Sequence, residues 1–330
     1  MPTIEHAEGT IRITSSKNGT QTIAITPATP ETFIRTASCT TTYPLELIQA
    51  IAKTKGASYI CDEIRRDDDP YYIEHHIVTT LFSYVRPKDF EGKRLLDFGC
   101  GAGASTMIFA RHLPKTSIVG VELLKEHLDI AQMRAEFYGY QNIQFLQSPS
   151  PKKLPAHIGE FDFIFLPAVY EHLLPEERKR LMSQLWSILK PNGILFIDET
   201  PHRWFPIETH TTGLPLINYL PSPLACAYAR TCSKRNLKKD SWNTLLRKGI
   251  RGSTPRSILR TIRAQGGAPK LLKSINPDLK NPVDIWYEGY ARHESDASGG
   301  MKRFMRSFLK TFFAITRVPL VPYISIAIKK

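Results

Sequence analysis

The chain has 330 residues, which is long enough for two domains or for one enlarged α/β domain. Hydrophobic residues make up 42% and charged residues 23%, as in an ordinary soluble globular protein. No apolar run reaches the roughly 18 residues of a membrane span, and the first thirty residues lack the apolar core of a signal peptide. The five scattered cysteines form no metal-binding spacing, so we expect reduced thiols, a cytoplasmic location and no metal.

Basic residues are concentrated in the last third of the chain. Residues 1–199 carry 21 Lys and Arg against 24 Asp and Glu, whereas residues 200–330 carry 23 against 7. This asymmetry, within a net charge of +13, indicates an anionic partner: a membrane surface, a phosphorylated substrate or a nucleic acid. A basic surface that only faces solvent is the alternative.

Residues 1–90 are predicted to form an N-terminal extension, a β-hairpin followed by helices. The segments 11–14 and 21–26 are rich in Ile and Thr and are joined through Asn18-Gly19, which is typical of a hairpin. Apolar residues at helical spacing follow from Tyr43 to about Tyr84.

Alternating strands and helices define the predicted core, residues 91–200. The pattern predicts an α/β fold with a doubly wound, mainly parallel sheet. The predicted strands are 93–98, 117–122, 142–147, 161–166 and 194–199, and the helices are 105–113, 125–138 and 176–190. Because such sheets bind ligands at the carboxyl ends of their strands, the residues at these ends should converge on a ligand. They are Asp97, Glu122, Ser148, Pro167 and Glu199.

The first core strand runs into a glycine-rich turn, Asp97-Phe98-Gly99-Cys100-Gly101-Ala102-Gly103-Ala104. Glycines let a ligand lie against the backbone, beside the free N–H groups of the next helix. Gly99, Gly101 and Ala104 also satisfy the dinucleotide fingerprint, so this spacing alone leaves a nicotinamide or flavin cofactor open. Asp97, where dinucleotide strands usually have an apolar residue, and Gly103 favour another ligand.

This turn resembles the first motif of class I S-adenosylmethionine-dependent methyltransferases. The runs 170–178 (YEHLLPEER) and 189–193 (LKPNG) are also similar to sequences of that family, including its type 11 and quinone-biosynthesis members. The resemblance covers residues 93–200 and implies a Rossmann-like sheet of seven strands with S-adenosylmethionine as cofactor. The cofactor site it implies comprises Asp97, Gly99, Gly101, Gly103, Glu122, Leu123, Ser148 and Pro167, with Glu122 on the ribose hydroxyls.

Two positions depart from the pattern of that family. The family usually has Asp after the third strand to hold the adenine amino group, and this chain has Ser148. Some quinone methyltransferases place a metal-binding Glu three residues before the Glu-His pair, where this chain has Ala168. The second departure argues against a metal.

Candidate catalytic and substrate-binding residues follow the fifth strand. His202 and His210 are predicted bases for a hydroxyl acceptor, since an ordinary imidazole has a pKa of about 6.5; alternatively, both only satisfy backbone carbonyls. Glu199, Arg203 and Trp204 would frame the acceptor.

Two further candidates lie outside that stretch. His172 is the third catalytic candidate, although the pair Glu171-His172 also suits capping of the next helix or packing against the cofactor loop. Tyr71 is a candidate substrate residue in the helices that would cover the cofactor, and simple packing is its alternative.

The last third of the chain is predicted to complete the sheet. Residues 201–252 would form a helical insertion over the substrate, and residues 253–330 would add strands at 270–275 and 323–328. A helix over 301–318 would carry the apolar stripe Met301, Phe304, Met305, Phe308, Leu309, Phe312 and Phe313 opposite the basic residues Lys302, Arg303, Arg306 and Lys310. Such a helix either packs on a sheet or lies on an anionic membrane.

These patterns predict an S-adenosylmethionine-dependent methyltransferase that acts at oxygen on a small molecule, a glycan or a lipid-linked intermediate. It would be cytoplasmic, with peripheral contact to the inner face of the membrane through the basic helix. An RNA or DNA methyltransferase is the enzyme alternative, although residues 166–170 lack the [DNS]-P-P-[YF] run of amino-methylating enzymes. A catalytically silent scaffold in a membrane-associated assembly is the third hypothesis. The sequence leaves the oligomeric state open.

Overall fold

The computed structural model describes residues 2–291 and 299–330, without the side chains of Ala291 and Lys302. The strands are β1 (Thr3–His6), β2 (Gly9–Ser15), β3 (Gln21–Pro27), β4 (Ser38–Thr41), β5 (Arg94–Phe98), β6 (Ser117–Glu122), β7 (Ile143–Gln147), β8 (Phe161–Pro167), β9 (Leu189–Pro201), β10 (Lys270–Leu271) and β11 (Tyr323–Lys329). The α-helices are α1 (Leu45–Asp68), α2 (His75–Tyr84), α3 (Ala104–His112), α4 (Lys125–Tyr138), α5 (Pro175–Ile188), α6 (Ser222–Cys232), α7 (Trp242–Arg247), α8 (Pro255–Arg263), α9 (Pro282–Trp286) and α10 (Gly299–Thr316).

The N-terminal extension is an antiparallel sheet in the order β1-β2-β3-β4. The predicted hairpin is confirmed, since β2 pairs with β3 so that Ile11 lies opposite Ile25 and Ile13 opposite Ile23. Strands β1 and β4 have four residues each and mostly exposed side chains, so they lack the apolar alternation that would reveal them. The buried isoleucines of β2 and β3 pack in one cluster with residues of α1.

The core sheet has the strand order β10-β11-β9-β8-β5-β6-β7. Strands β5 to β9 pair in parallel, β11 is antiparallel to β9, and β10 is antiparallel to β11. Apolar side chains cover both faces, with α5 and α8 on one face and α2 and α3 on the other. The predicted α/β, doubly wound, Rossmann-like sheet of seven strands is confirmed.

The sixth predicted strand, 270–275, is wrong beyond Leu271. After Leu271 the chain leaves the sheet edge: the N–H of Leu272 still donates to the carbonyl of Ala327, but that of Ile275 donates to the carbonyl of Ser83 in α2. A tertiary contact with α2 therefore ends a segment whose own sequence suits a longer strand.

The C-terminal helix α10 does not divide simply into an apolar and a basic face. Met305, Leu309 and Phe313 pack on the core, whereas Met301, Phe304, Phe308 and Ile315 are exposed. Arg306 and Lys310 both pair with the buried carboxylate of Asp284 in α9; Lys302, predicted on the basic face, has its side chain outside the described residues. Membrane contact through α10 remains a prediction.

None of the helices in the described part of the chain combines the length and hydropathy needed to span a bilayer.

The predicted insertion, residues 201–252, contains α6 and α7, whose apolar side chains form a small cluster of their own. The predicted boundaries at residues 90, 200 and 252 remain predictions.

A buried arginine joins the N-terminal extension to the core. The Arg134 guanidinium, on α4, donates to Glu63 Oε1 at 3.0 Å, to the Glu63 carbonyl at 2.7 Å and to the Ala102 carbonyl at 2.8 Å. Asp67 Oδ1 lies 3.4 Å from the same guanidinium. These contacts hold α1 against the glycine-rich turn, because Ala102 belongs to that turn.

We expect Arg134→Met to lower the free energy of unfolding by about 3–5 kcal/mol, because Asp67 would stay buried without a partner charge and Glu63 would keep Lys55, 3.4 Å away, but lose its buried partner. Urea unfolding would measure the loss. Lys125→Met, at an exposed position of the same helix, is the matched control and should change the value by less than about 0.5 kcal/mol. A loss below about 1 kcal/mol for Arg134→Met would contradict this account.

Candidate active site

Three glycines shape the turn between β5 and α3, and all have positive φ: 77° at Gly99, 54° at Gly101 and 88° at Gly103. A Cβ at Gly99 would lie 2.6 Å from Val169, and one at Gly103 would lie 2.7 Å from Ala131. A Cβ at Gly101 would meet no atom within 4 Å. Gly99 and Gly103 are therefore required by packing within the protein, whereas Gly101 leaves open space in front of the backbone.

A cavity of about 220 Å³ adjoins this turn. Its lining comprises Lys55, Glu63 and Arg66 of α1, Ile73 and Ile77, the turn residues 99–102 with Ala104 and Ser105, and Pro167, Ala168 and Glu199 at two strand ends. The structure thus brings together four predicted site residues, Gly99, Gly101, Pro167 and Glu199. It adds charged residues of α1 that the sequence analysis did not assign to the site.

Asp97 lies buried directly behind the turn. Its Oδ2 accepts hydrogen bonds from Ser105 Oγ at 2.7 Å and from Thr106 Oγ1 at 2.6 Å, which fixes the first turn of α3. Its Oδ1 has no hydrogen-bond partner among the described residues. Burial raises the pKa of Asp97 to about 6. One carboxyl oxygen is therefore available to a polar ligand or a water molecule.

Glu122 ends β6 beside the turn, as the resemblance implied. Its Oε2 accepts from the N–H of Gly101 at 3.1 Å, and its Oε1 accepts from the N–H groups of Leu123 at 2.7 Å and Leu124 at 3.1 Å. These contacts hold the carboxylate at the edge of the open space in front of Gly101.

Ser148, at the position where the family holds the adenine, and Leu123, a predicted cofactor residue, do not line the described cavity. The Ser148 hydroxyl donates to the carbonyl of Lys153 at 2.6 Å and so serves its own loop. The Leu123 carbonyl accepts from Gln147 Nε2 at 3.0 Å. Cofactor binding by these two residues remains a prediction.

Two non-glycine residues in the left-handed region face the cavity, Ala168 at φ 50° and Glu199 at φ 56°. Glu199 lies in a β-bulge where Asp198 and Glu199 oppose the single residue Ser325 of β11. Asp198 points the other way and accepts from Thr80 Oγ1, with His76 Nε2 2.8 Å from its Oδ2. Because bulges re-aim side chains and strained backbone concentrates at functional sites, this geometry supports the prediction that Glu199 belongs to the site.

A second polar group lies next to Glu199. Glu171, His172 and His210 each present a side-chain atom within 4.8 Å of the others. Thr200 Oγ1 donates to Glu171 Oε2 at 3.2 Å, whereas Glu171 Oε1 is buried without a partner among the described atoms. The structure therefore unites two predicted bases, His172 and His210, with the carboxyl group of Glu171. The start of α5 is capped by Glu177, which accepts from the N–H of Leu174, and not by the pair Glu171-His172.

Burial shifts the pKa of the carboxyl group and the pKa values of the two imidazoles in opposite directions. It raises the pKa of Glu171 to about 8, with a further contribution from the charge of Glu199. It lowers the pKa of His210 to about 4 and also lowers that of His172. The expected imidazole pKa near 6.5 is thus wrong for His210, and Glu171 is the group that titrates near neutral pH.

His172 has a defined orientation in this group. Its Nδ1 lies 2.7 Å from the carbonyl of Arg247, so Nδ1 carries the proton and Nε2 is the free acceptor. That Nε2 lies 3.8 Å from Glu171 Oε1. Carboxylate and imidazole also form divalent metal sites; the absence of a metal remains a prediction.

The remaining predicted residues do not line the cavity at the glycine turn. His202 and Trp204 line another cavity, near β11, and burial lowers the pKa of His202 to about 4. Arg203 donates its backbone N–H to Ser253, and Tyr71 is exposed. Their catalytic and substrate-binding roles remain predictions.

Comparison with known proteins agrees with this geometry. Residues 95–193 match a family model described as a methyltransferase domain. An uncharacterized protein of Rickettsia prowazekii is 32% identical over 153 residues, 44% of this chain and 59% of that protein. The malonyl-[acyl-carrier protein] O-methyltransferase of Halalkalibacterium halodurans is 31% identical over 37% of this chain and 44% of that enzyme. The demethylmenaquinone methyltransferase of Lactococcus lactis is 27% identical over 41% of this chain and 53% of that enzyme.

Residues 95–193 thus form a class I S-adenosylmethionine-dependent methyltransferase domain, and S-adenosylmethionine is its cofactor. The residues present fit that molecule: open space at Gly101, a free oxygen on Asp97 and a positioned carboxylate on Glu122. The chain spans about half the length of the curated relatives it matches.

Proposed function

We propose that the whole chain transfers a methyl group from S-adenosylmethionine to a hydroxyl oxygen of a small-molecule, glycan or lipid-linked acceptor. The observation that carries the proposal is the group of Glu171, His172 and His210 beside Glu199, at the same sheet edge as the glycine turn. The name of one relative, a malonyl-[acyl-carrier protein] O-methyltransferase, supports transfer to oxygen, and the name of another, a demethylmenaquinone methyltransferase, supports a lipid-linked acceptor.

When bound, S-adenosylmethionine supplies an electrophilic methyl group on a sulfonium. The Gly101 backbone would leave room for it, Glu122 would accept hydrogen bonds from its ribose hydroxyls, and Asp97 would lie behind the turn that holds its methionine portion. The protein must align the acceptor oxygen with the methyl group and remove the proton of the hydroxyl.

Glu171 is the proposed base for that proton. A carboxylate whose pKa is about 8 is a much stronger base than an ordinary glutamate, and near neutral pH part of it is ionised. The Nε2 of His172 lies 3.8 Å from Glu171 Oε1, and because burial lowers the pKa of His172, the imidazole stays neutral and the proton remains on Glu171 until it passes to solvent after the product leaves. His210 lies against His172, with ring centroids 5.2 Å apart, and would help to exclude water.

An acceptor screen with methyl-labelled S-adenosylmethionine tests the proposal. We expect label in hydroxyl-bearing small molecules, glycans or lipid-linked phenols, at oxygen by mass spectrometry, and none with Glu122→Ala at the same cofactor concentration. Transfer only to RNA or DNA, or tight cofactor binding without turnover on any acceptor class, would contradict it. A chelator added to the active enzyme should leave the rate unchanged.

A further inference from the structure

A second cavity, of about 470 Å³, lies at the β11 edge of the core sheet. Its volume falls in the range of about 300–1,000 Å³ that is usual for ligand pockets. It shares no described lining residue with the cavity at the glycine turn. It is therefore a separate place for a ligand.

The early end of β10 creates this space. Because β10 stops at Leu271 and the chain turns toward α2, the central part of β11 has no strand on the side away from β9, and α8, α9 and α10 form the walls. The interior is apolar: Leu259 of α8, Ile285 of α9, Phe313 of α10 and Ile326 of β11. Surfaces of this kind favour a hydrocarbon chain.

Cations surround the mouth of the cavity. The lining of the cavity includes four exposed cations: Arg256, Lys273, Lys280 and Arg317. Among the described residues, the lining contains no Asp or Glu. In the part of the chain that the structure describes, none of these four forms an ion pair, in contrast to Arg306 and Lys310, which both pair with Asp284. The four charges are thus available to an anion.

We propose that this cavity binds a single-chain anionic amphiphile, with the hydrocarbon chain in the apolar interior and a phosphate or carboxylate headgroup at the four cations. His202, which also lines the cavity, is neutral at pH 7 because burial lowers its pKa to about 4, so it adds no charge of its own. The assignment does not depend on methyl transfer, because the cavity at the glycine turn plays no part in it.

Calorimetric titration of the full chain with dodecyl phosphate, below the concentration at which it forms micelles and without S-adenosylmethionine, tests the proposal. We expect saturable binding, and affinity should rise roughly tenfold for every two methylenes from octyl to dodecyl phosphate. Dodecyl maltoside and inorganic phosphate should each bind at least roughly tenfold more weakly than dodecyl phosphate.

Variants test the cations at the mouth and the apolar interior of the cavity separately. The double variant Lys273→Glu/Lys280→Glu should weaken dodecyl phosphate roughly tenfold, whereas Lys17→Glu, at an exposed position of the N-terminal sheet, should leave the affinity unchanged. Leu259→Trp would fill the interior and should abolish binding, with circular dichroism as the check that the variant is folded. Trp204, at the cavity wall, supplies an independent fluorescence readout in the native chain.

Three outcomes would overturn the proposal. If dodecyl maltoside bound as tightly as dodecyl phosphate, the four cations would play no part in binding. If inorganic phosphate bound as tightly as dodecyl phosphate, the hydrocarbon chain would play no part. Binding only to anionic vesicles, and not to monomeric dodecyl phosphate, would identify a membrane surface instead of a ligand cavity. Each can occur whether or not the chain methylates an acceptor, so failure here is distinct from failure of the proposed function.

Discussion

Replacing Gly101 with Arg should weaken S-adenosylmethionine binding at least about 100-fold. The space in front of Gly101 is empty of protein atoms for 4 Å, so the new side chain would clash with the cofactor and not with the fold. Calorimetric titration with S-adenosylmethionine and with its demethylated product would measure the loss.

Gly139→Arg is the matched control for this variant. Gly139 also has a positive φ, 71°, and a Cβ there would also meet no atom within 4 Å, but it lies at the end of α4 away from the glycine turn. Gly139→Arg therefore measures how much the backbone strain of a Gly→Arg substitution changes cofactor affinity when no side chain enters the cofactor site. If Gly101→Arg left the affinity for S-adenosylmethionine unchanged, the cofactor would bind elsewhere. If the unchanged chain bound NAD and not S-adenosylmethionine, the glycine turn would be a dinucleotide-binding turn.

Glu171→Gln should lower kcat for a hydroxyl acceptor by about 10²–10⁴-fold while cofactor affinity stays within about twofold. Glutamine keeps the size of the side chain and the hydrogen bond with Thr200, but it cannot take a proton. Single-turnover rates with saturating acceptor, together with calorimetry for the cofactor, separate the two effects. Glu176→Gln, five residues further along and exposed, is the control and should behave as the unchanged chain.

The pH profile makes this test specific for proton removal. The pKa of Glu171 is raised to about 8, so its ionised, basic form increases as the pH rises through that value. The methylation rate should therefore increase between about pH 7 and pH 9 and then level off, and the Gln variant should lose this rise. A rise that persists in Glu171→Gln would assign the proton to another group, and a rate independent of pH would argue against base catalysis at this site.

The sequence by itself specified the cofactor-binding part of this protein, about residues 91–200. The strand β5, the glycine turn and Glu122 are encoded locally: an apolar run, residues that permit positive φ, and an acid at the end of the next strand. The alternation of strands and helices likewise specified the doubly wound sheet, because each element has its own periodicity and parallel strands require crossover helices. The resemblance to a known family added the identity of the cofactor.

Elements whose formation depends on distant residues were not foreseen. The short strands β1 and β4 carry little apolar alternation, and β10 ends where Ile275 finds a partner in α2. No sequence motif marks the charged residues of α1 that line the cavity, such as Lys55. They reach the site because Arg134 holds α1 against the turn.

The acid–base group was decided by the tertiary structure. His172 and His210 are 38 positions apart in the chain, and a spacing of that length gives no geometric information. Their meeting with Glu171, and the separation of His202 into another cavity, follow from the insertion folding back over the end of β9. The pKa values depend on burial and on the charge of Glu199, and both arise from contacts that form only when the chain is folded.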